Sequence, residues 1–342
     1  MIKVSVVIPV YNVEDFLEEC LDSVINQTLE DIEVICIDDG STDNSLKILN
    51  NYSKKDSRIQ IIIQENQGHA VATNNGIKLA KGKYLFLMDS DDILELNALE
   101  ETYNVADGDN LDFVIFQAVN YYMDTNKLVR SEKYSMNALT DYVGDRVFNY
   151  KDIKEFIFKI TVTPWSKLYN REFILNSDAK FPDGLIFDDN VFFFDILFSA
   201  KRIGFLKKHL FKRRWHSSSS TTYGGSKFID YIKISNLIWD VFKKHDVFDE
   251  FKEGLYSKKT ATVYYWYKKI NDKFKQDYFN EMKKDYLKLA NNKDFIYNLN
   301  KNNKLIFESV LKSNNYHEFD LKMKNKKSIS PILDKILRFF KV

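Results

Sequence analysis

Cysteine is nearly absent: 342 residues contain only Cys20 and Cys36, and both sit inside apolar patterns. That excludes a disulfide framework and a cysteine-based metal site, and makes both thiols core residues of a reducing compartment. No run approaches the roughly 20 apolar residues that cross a bilayer. The first ten residues are too short and too soon polar for a secretory signal, so the expected location is the cytoplasm. The N-terminal loops carry neither Gly-x-Gly-x-x-Gly nor Gly-x-x-x-x-Gly-Lys-Ser/Thr, which argues against a dinucleotide dehydrogenase and a P-loop ATPase. There is no internal repeat and no recognisable nucleic-acid-binding module, so a nucleic-acid partner is not expected.

What is present is an ordinary globular composition, 44% hydrophobic and 29% charged, with room for one large domain or two ordinary ones. The net charge of +1 hides an asymmetry. Residues 1–112 carry 22 acidic and 8 basic side chains, and the remainder 27 and 42. A basic C-terminal half attracts phosphates or an anionic surface, although Lys-rich solvated helix faces account for most of the surplus.

Apolar strands alternate with amphipathic helices along the first third. Lys3–Val10, Glu33–Ile37, Arg58–Ile63, the segment up to Met88 and Asp112–Ala118 read as strands. Helices are predicted over Val13–Gln27, after Asp38-Asp-Gly-Ser-Thr-Asp43, and from Asn66-Gln-Gly68 to about Ala80. Ser41 or Thr42 is the expected cap of the second, with Asp43 in its first turn. Short connections between alternating elements imply an α/β fold with a mostly parallel sheet, whose ligands bind outside the strands' carboxyl ends. Further on, a hairpin is predicted across Asp124-Thr-Asn126, a short helix at Lys151–Lys159, a loop at Thr163–Tyr169, a very apolar helix within Gly184–Ala200 and a strand at Ile203–Trp215. From about Lys227 only helical patterns occur.

The segment Tyr84–Met88 ends in Asp89, Asp91 and Asp92. In an extended chain, residues i and i+2 point the same way, so Asp89 and Asp91 converge. Two carboxylates at a buried strand end repel unless a cation joins them, and oxygen-only ligands suit Mg²⁺ or Mn²⁺. The competing reading is a solvated acidic turn in which Asp92 caps a following helix.

With these pieces placed, the chain resembles the family-2 nucleotide-sugar glycosyltransferases of the GT-A fold. The resemblance rests on Val4-Ser-Val-Val-Ile-Pro-Val-Tyr-Asn12, Ser23-Val-Ile-Asn-Gln-Thr28, Asp38-Asp-Gly-Ser-Thr-Asp43, Asn66-Gln-Gly68, Asn74-x-Gly76 and Asp89-Ser-Asp-Asp92. Pro164-Trp-Ser-Lys-Leu-Tyr169, Phe187-Asp-Asp-Asn-Val-Phe192 and Arg214-x-His216 resemble the bacterial and archaeal branch that builds surface polysaccharides. The resemblance implies a metal-dependent inverting transfer from a nucleoside-diphosphate sugar to a glycan or lipid-linked saccharide. Pro9, Tyr11, Asp38 and Asp39 would hold base and ribose, with Asn66 and Asn74 in the same nucleotide-sugar site. Asp91, with Asp89 and His216, would hold Mn²⁺ or Mg²⁺; His216, near Arg213 and Arg214 of the nucleotide-sugar site, would approach the diphosphate or metal from the returning loop. Asp189 would be the general base and Asp188 a helix cap; Trp165 and Lys167 would lie on the acceptor side, though as bare residues they read as packing and surface. Thr73 stands where many relatives have Arg, which leaves the nucleotide base open.

The implied organisation is a catalytic domain over residues 1–225, with its nucleotide half at 1–120 and its acceptor half at 121–225, then a helical region at 226–342. Ile329, Ile332, Leu333, Ile336, Leu337 and Phe340 form an apolar stripe flanked by lysines. It fits a helix at an anionic membrane surface, hence a peripheral location at the inner face, or one docked on its own domain or a homodimer partner. Two other functions compete: a sugar-nucleotide nucleotidyltransferase, which normally has a Gly-rich basic loop absent at Pro9–Val13, and a non-catalytic glycan- or nucleotide-binding relative.

Overall fold

The computed structural model describes residues 1–216 and 225–325. They fall into two units, one made of Met1–Gly184 with Asp188–His216, the other of Leu185–Phe187 with the residues from Gly225 onward.

The first unit is built on one mixed sheet. Strands β1 (Val4–Val10), β2 (Ile32–Asp38), β3 (Ile59–Ile63) and β4 (Tyr84–Leu87) pair in parallel in the order β3-β2-β1-β4. Every residue of β1, β2 and β4 is buried, which is why these strands read as continuous apolar runs. Their connections are the helices α1 (Glu14–Ile25), α2 (Ser45–Lys55) and α3 (His69–Leu79). α1 turns Leu17, Cys20, Leu21 and Val24 into the core. α3 lies close enough to the sheet that a Cβ on Gly76 would sit 2.3 Å from a Val7 methyl, so only glycine fits there.

Beyond β4 the sheet changes character. β5 (Ile93–Leu94), β6 (Phe113–Tyr122), β7 (Lys127–Val129), β8 (Lys167–Asn170) and β9 (Ile203–Trp215) complete the order β4-β8-β6-β9-β5, with β7 hairpinned onto β6. β8 runs antiparallel to both β4 and β6, whereas β9 runs parallel to β6. The parallel arrangement expected from alternating elements is therefore the N-terminal half of a mixed sheet.

Several local expectations shift. Thr163–Tyr169 is not a loop: Pro164–Ser166 forms a single 3-10 turn and Lys167 opens β8, a four-residue strand too short to show periodicity. Asp92 caps no helix, since β5 follows it. α2 starts at Ser45, and Asp43 accepts the Ser45 N–H at 2.9 Å and the Glu14 N–H at 3.0 Å, serving two helix starts in place of Ser41 or Thr42. Lys151–Lys159 gives a 3-10 segment at Tyr150–Phe156.

The second unit is helical among its described residues, with long helices at Asp230–Lys244, Phe248–Lys269 and Lys275–Leu289. A buried Lys259–Asp285 pair at 2.7 Å crosses its core, and Asn236 bonds both partners. No helix among the described residues is long and apolar enough to cross a membrane. The stripe from Ile329 to Phe340, with its membrane or dimer reading, lies outside the described residues.

Candidate active site

The turn after β4 brings Asp89, Asp91 and Asp92 together, with one carboxylate oxygen from each within 4.8 Å of the others. Asp92 is buried and accepts the Arg214 backbone N–H at 2.6 Å. Burial, then the charges of Asp91 and Asp89, push its carboxyl well above the usual range, while the Arg214 N–H and Arg213 pull against that. Such a cluster favours a cation. The end of β9 closes over the turn: His216 Nε2 lies 2.8 Å from Asp91 Oδ2, its ring packed 4.2 Å from that of Phe16. Arg214, expected in the nucleotide-sugar site, has its side chain packed among protein partners. Its side chain is 2% exposed, with Nε donating to the Asp91 carbonyl at 2.7 Å and Nη1 2.7 Å from Glu19. It is a strut that joins β9, α1 and the acidic turn. The Arg213 guanidinium lies 3.9 Å over the Trp215 ring.

The carboxyl end of β2 divides its two acids. Asp38 Oδ1 is buried and has no hydrogen-bond partner among the described residues, and its Oδ2 reaches only the Ser41 N–H at 3.4 Å. Asp39, by contrast, accepts three hydrogen bonds: Oδ1 from Gln64 Nε2 at 2.7 Å and the Gln67 N–H at 2.9 Å, Oδ2 from the Gly68 N–H at 2.8 Å. These bonds shape the loop that leads into α3. Pro9 is buried opposite Ile37; Tyr11, at 48%, and Asn66 are exposed at the same edge.

Asp189 begins the helix Asp189–Ser199, and Asp188 caps it by accepting the Asp189 N–H at 3.1 Å. Burial, then the neighbouring Asp188 charge, push the Asp189 carboxyl up to about 6 against the hydrogen bond of Asn190 and the charge of Lys133. A carboxylate so placed is a competent proton acceptor near neutral pH. Behind it, Lys167 is fully buried and donates to the carbonyls of Thr161 and Thr163 at 2.9 and 2.7 Å. Burial lowers its ammonium to about 7, opposed by the charge of Asp189. Trp165 is 3% exposed and stacks on Phe211 at 4.5 Å. Neither is presented to an acceptor: the stretch became β8 and its turn, which places both in the core. Asn74 is likewise spent, its amide donating to the Phe181 carbonyl at 2.8 Å and accepting the Phe181 N–H at 3.2 Å. It pins the loop before Asp188.

Sequence reasoning missed His69. It is the first residue of α3, with Nε2 3.5 Å from Asp89 Oδ1 and Nδ1 3.5 Å from Asp188 Oδ2. Crowding by its neighbours disfavours its charged form, although the side chain remains 45% exposed, and the carboxylates of Asp188 and Asp89 outweigh this and hold the imidazole above its ordinary pKa. One signal was available: an ionisable side chain at a helix start, just beyond a parallel strand's carboxyl end, where that fold class collects its ligands.

The structure thus brings Asp38, Tyr11, Asn66, Asp89, Asp91, Asp92 and His216 to one edge of the sheet, with Asp188 one imidazole away from Asp89. The model of the family described as Glycosyl transferase family 2 matches residues 5–175. Glycosyltransferase GlyG of Streptococcus pneumoniae is 33% identical over 226 residues, 63% of this chain and 72% of that protein. Cholesterol galactosyltransferase of Borreliella burgdorferi is 32% identical over 278 residues, 77% and 74% of the two chains. Among solved structures, S. aureus TarS 1-349 in complex with UDP-GlcNAc superposes with a TM-score of 0.72 at 18% identity, covering 93% of this chain and 88% of that one.

Proposed function

Because the chain belongs to glycosyl transferase family 2, we propose that it carries a hexose-type sugar from a nucleoside-diphosphate donor, with inversion, to a hydroxyl of a glycan or lipid-linked saccharide in surface polysaccharide synthesis. The observation that carries this is the His69 bridge of 3.5 Å contacts, which sets the start of the Asp189 helix beside the acidic turn. The contacts support a reading in which an ion site and a proton acceptor share one edge.

In this reading the first 120 residues serve the donor. Asp38, whose Oδ1 lacks a partner, accepts a ribose hydroxyl or ring N–H, and Tyr11 and Asn66 flank the nucleotide. Asp91 and His216, with Asp89 beside them, would hold Mn²⁺ or Mg²⁺. When bound, such an ion neutralises charge on the leaving diphosphate. Asp189 takes the acceptor hydroxyl's proton as the new C–O bond forms and the nucleoside diphosphate departs with the electrons of the old one. Arg214, Asp39 and Asn74 hold the frame.

Screening UDP-, GDP-, CDP- and dTDP-sugars for Mn²⁺-dependent thermal stabilisation tests the donor side. A ligand at 100 times its dissociation constant adds roughly 2.7 kcal/mol. No stabilisation by any of the four, with or without Mn²⁺, refutes the reading.

A further inference from the structure

His69 joins the two carboxyl-bearing segments of the site, and the surroundings hold it there. Gly76 seats α3 against Val7, and Asn74 on the same helix grips both backbone groups of Phe181. The Phe181 ring stacks on Phe192 at 4.1 Å, one turn into the Asp189 helix, and meets His69 edge-on at 6.4 Å. Asp188 is 8% exposed; its Oδ1 caps the helix, and its Oδ2 has no hydrogen-bond partner, only the ion-pair contact with His69. Without the imidazole, the two 3.5 Å contacts that link Asp188 to Asp89 are lost, and the helix start is free to relax away from the acidic turn. A misplacement of about 1 Å at a reacting group costs on the order of 100-fold in rate.

We propose that His69 is a positioning residue: it fixes the spacing between the acidic turn and the helix start that carries Asp189, so the transfer step depends on it more than donor binding does. This rests on the reading of Asp189 as the base. The test compares His69→Ala, His69→Gln, Asp189→Asn and the double variant His69→Ala/Asp189→Asn in steady-state transfer, with melting and UDP binding measured on each. His69→Ala should lower kcat about 100-fold with donor KM within about threefold, and His69→Gln, which keeps one donor, should recover part of it. The double variant should be no slower than Asp189→Asn alone, because His69 acts only through that carboxylate. A merely structural role would make the losses add. Wild-type kcat in His69→Ala beside a dead Asp189→Asn overturns the inference and leaves the base standing, as does a loss confined to KM. An active Asp189→Asn overturns the base instead. Should His69→Ala fail to fold, His69→Gln decides, and an unchanged kcat there refutes the proposal.

Discussion

Replacing Asp189 with asparagine should stabilise the protein while silencing it. The Asp189 carboxyl is pushed from an ordinary 3.8 to about 6 by burial and by Asp188. A displacement of that size is worth up to about 3 kcal/mol. The sign follows from linkage: between about pH 4 and 6 the folded state binds more protons than the unfolded one, so this group's contribution to stability falls as pH rises across the window. Above it the full cost remains. Asparagine carries no charge and can still accept from Asn190, so the thermal midpoint of Asp189→Asn should pull ahead of wild type between pH 5 and pH 8. Removing a general base should lower turnover roughly 10²–10⁴-fold, and wild-type turnover should rise with pH up to about 6 and then level. Differential scanning calorimetry at the two pH values, beside a transfer assay on the same preparations, checks both halves. A midpoint difference that does not change with pH refutes the burial argument, and a variant retaining more than about a tenth of wild-type turnover refutes the base.

Three more expectations concern the frame and the ion. Asp91→Ala and His216→Ala should each abolish most of the Mn²⁺-dependent part of nucleotide-induced thermal stabilisation while leaving the metal-free midpoint near wild type; a retained Mn²⁺ response counts against that ion site. Arg214→Ala removes the bonds to the Asp91 carbonyl and Glu19 and should cost about 1.5–3 kcal/mol in urea unfolding. Trp165→Ala empties a core position stacked on Phe211 and should cost about 3–5 kcal/mol with acceptor KM unchanged; a raised acceptor KM without destabilisation would restore Trp165 to the acceptor side.

Local pattern carried much of this molecule. β1, β2 and β4 are buried on both faces, so their composition alone marks them, and β9 matches its predicted span from Ile203 to Trp215. Asp188 caps its helix as read from the acidic pair. What failed was partner choice at long range. Asp38 and Asp39 are chemically alike, yet one has an oxygen without a partner and the other is consumed by Gln64, Gln67 and Gly68, a difference set by how the next loop folds back. Arg214 reads as part of the nucleotide-sugar site, whereas the strand register places its side chain on Asp91 and Glu19. β8 was invisible because four residues with a lysine at one end and an asparagine at the other carry no period, and only the gap between β4 and β6 explains them.

The clasp of β9 on the acidic turn has a consequence for how the enzyme comes into being. Asp92 receives its N–H from a residue 122 positions downstream, and Asp91 meets His216 from 125 positions away. A nascent chain released before residue 214 would contain Asp89, Asp91, Asp92 and His69, but neither the backbone N–H that Asp92 accepts nor the imidazole that meets Asp91. The two contacts that hold the acidic turn from downstream therefore form late in synthesis, after the parallel half of the sheet has already been made.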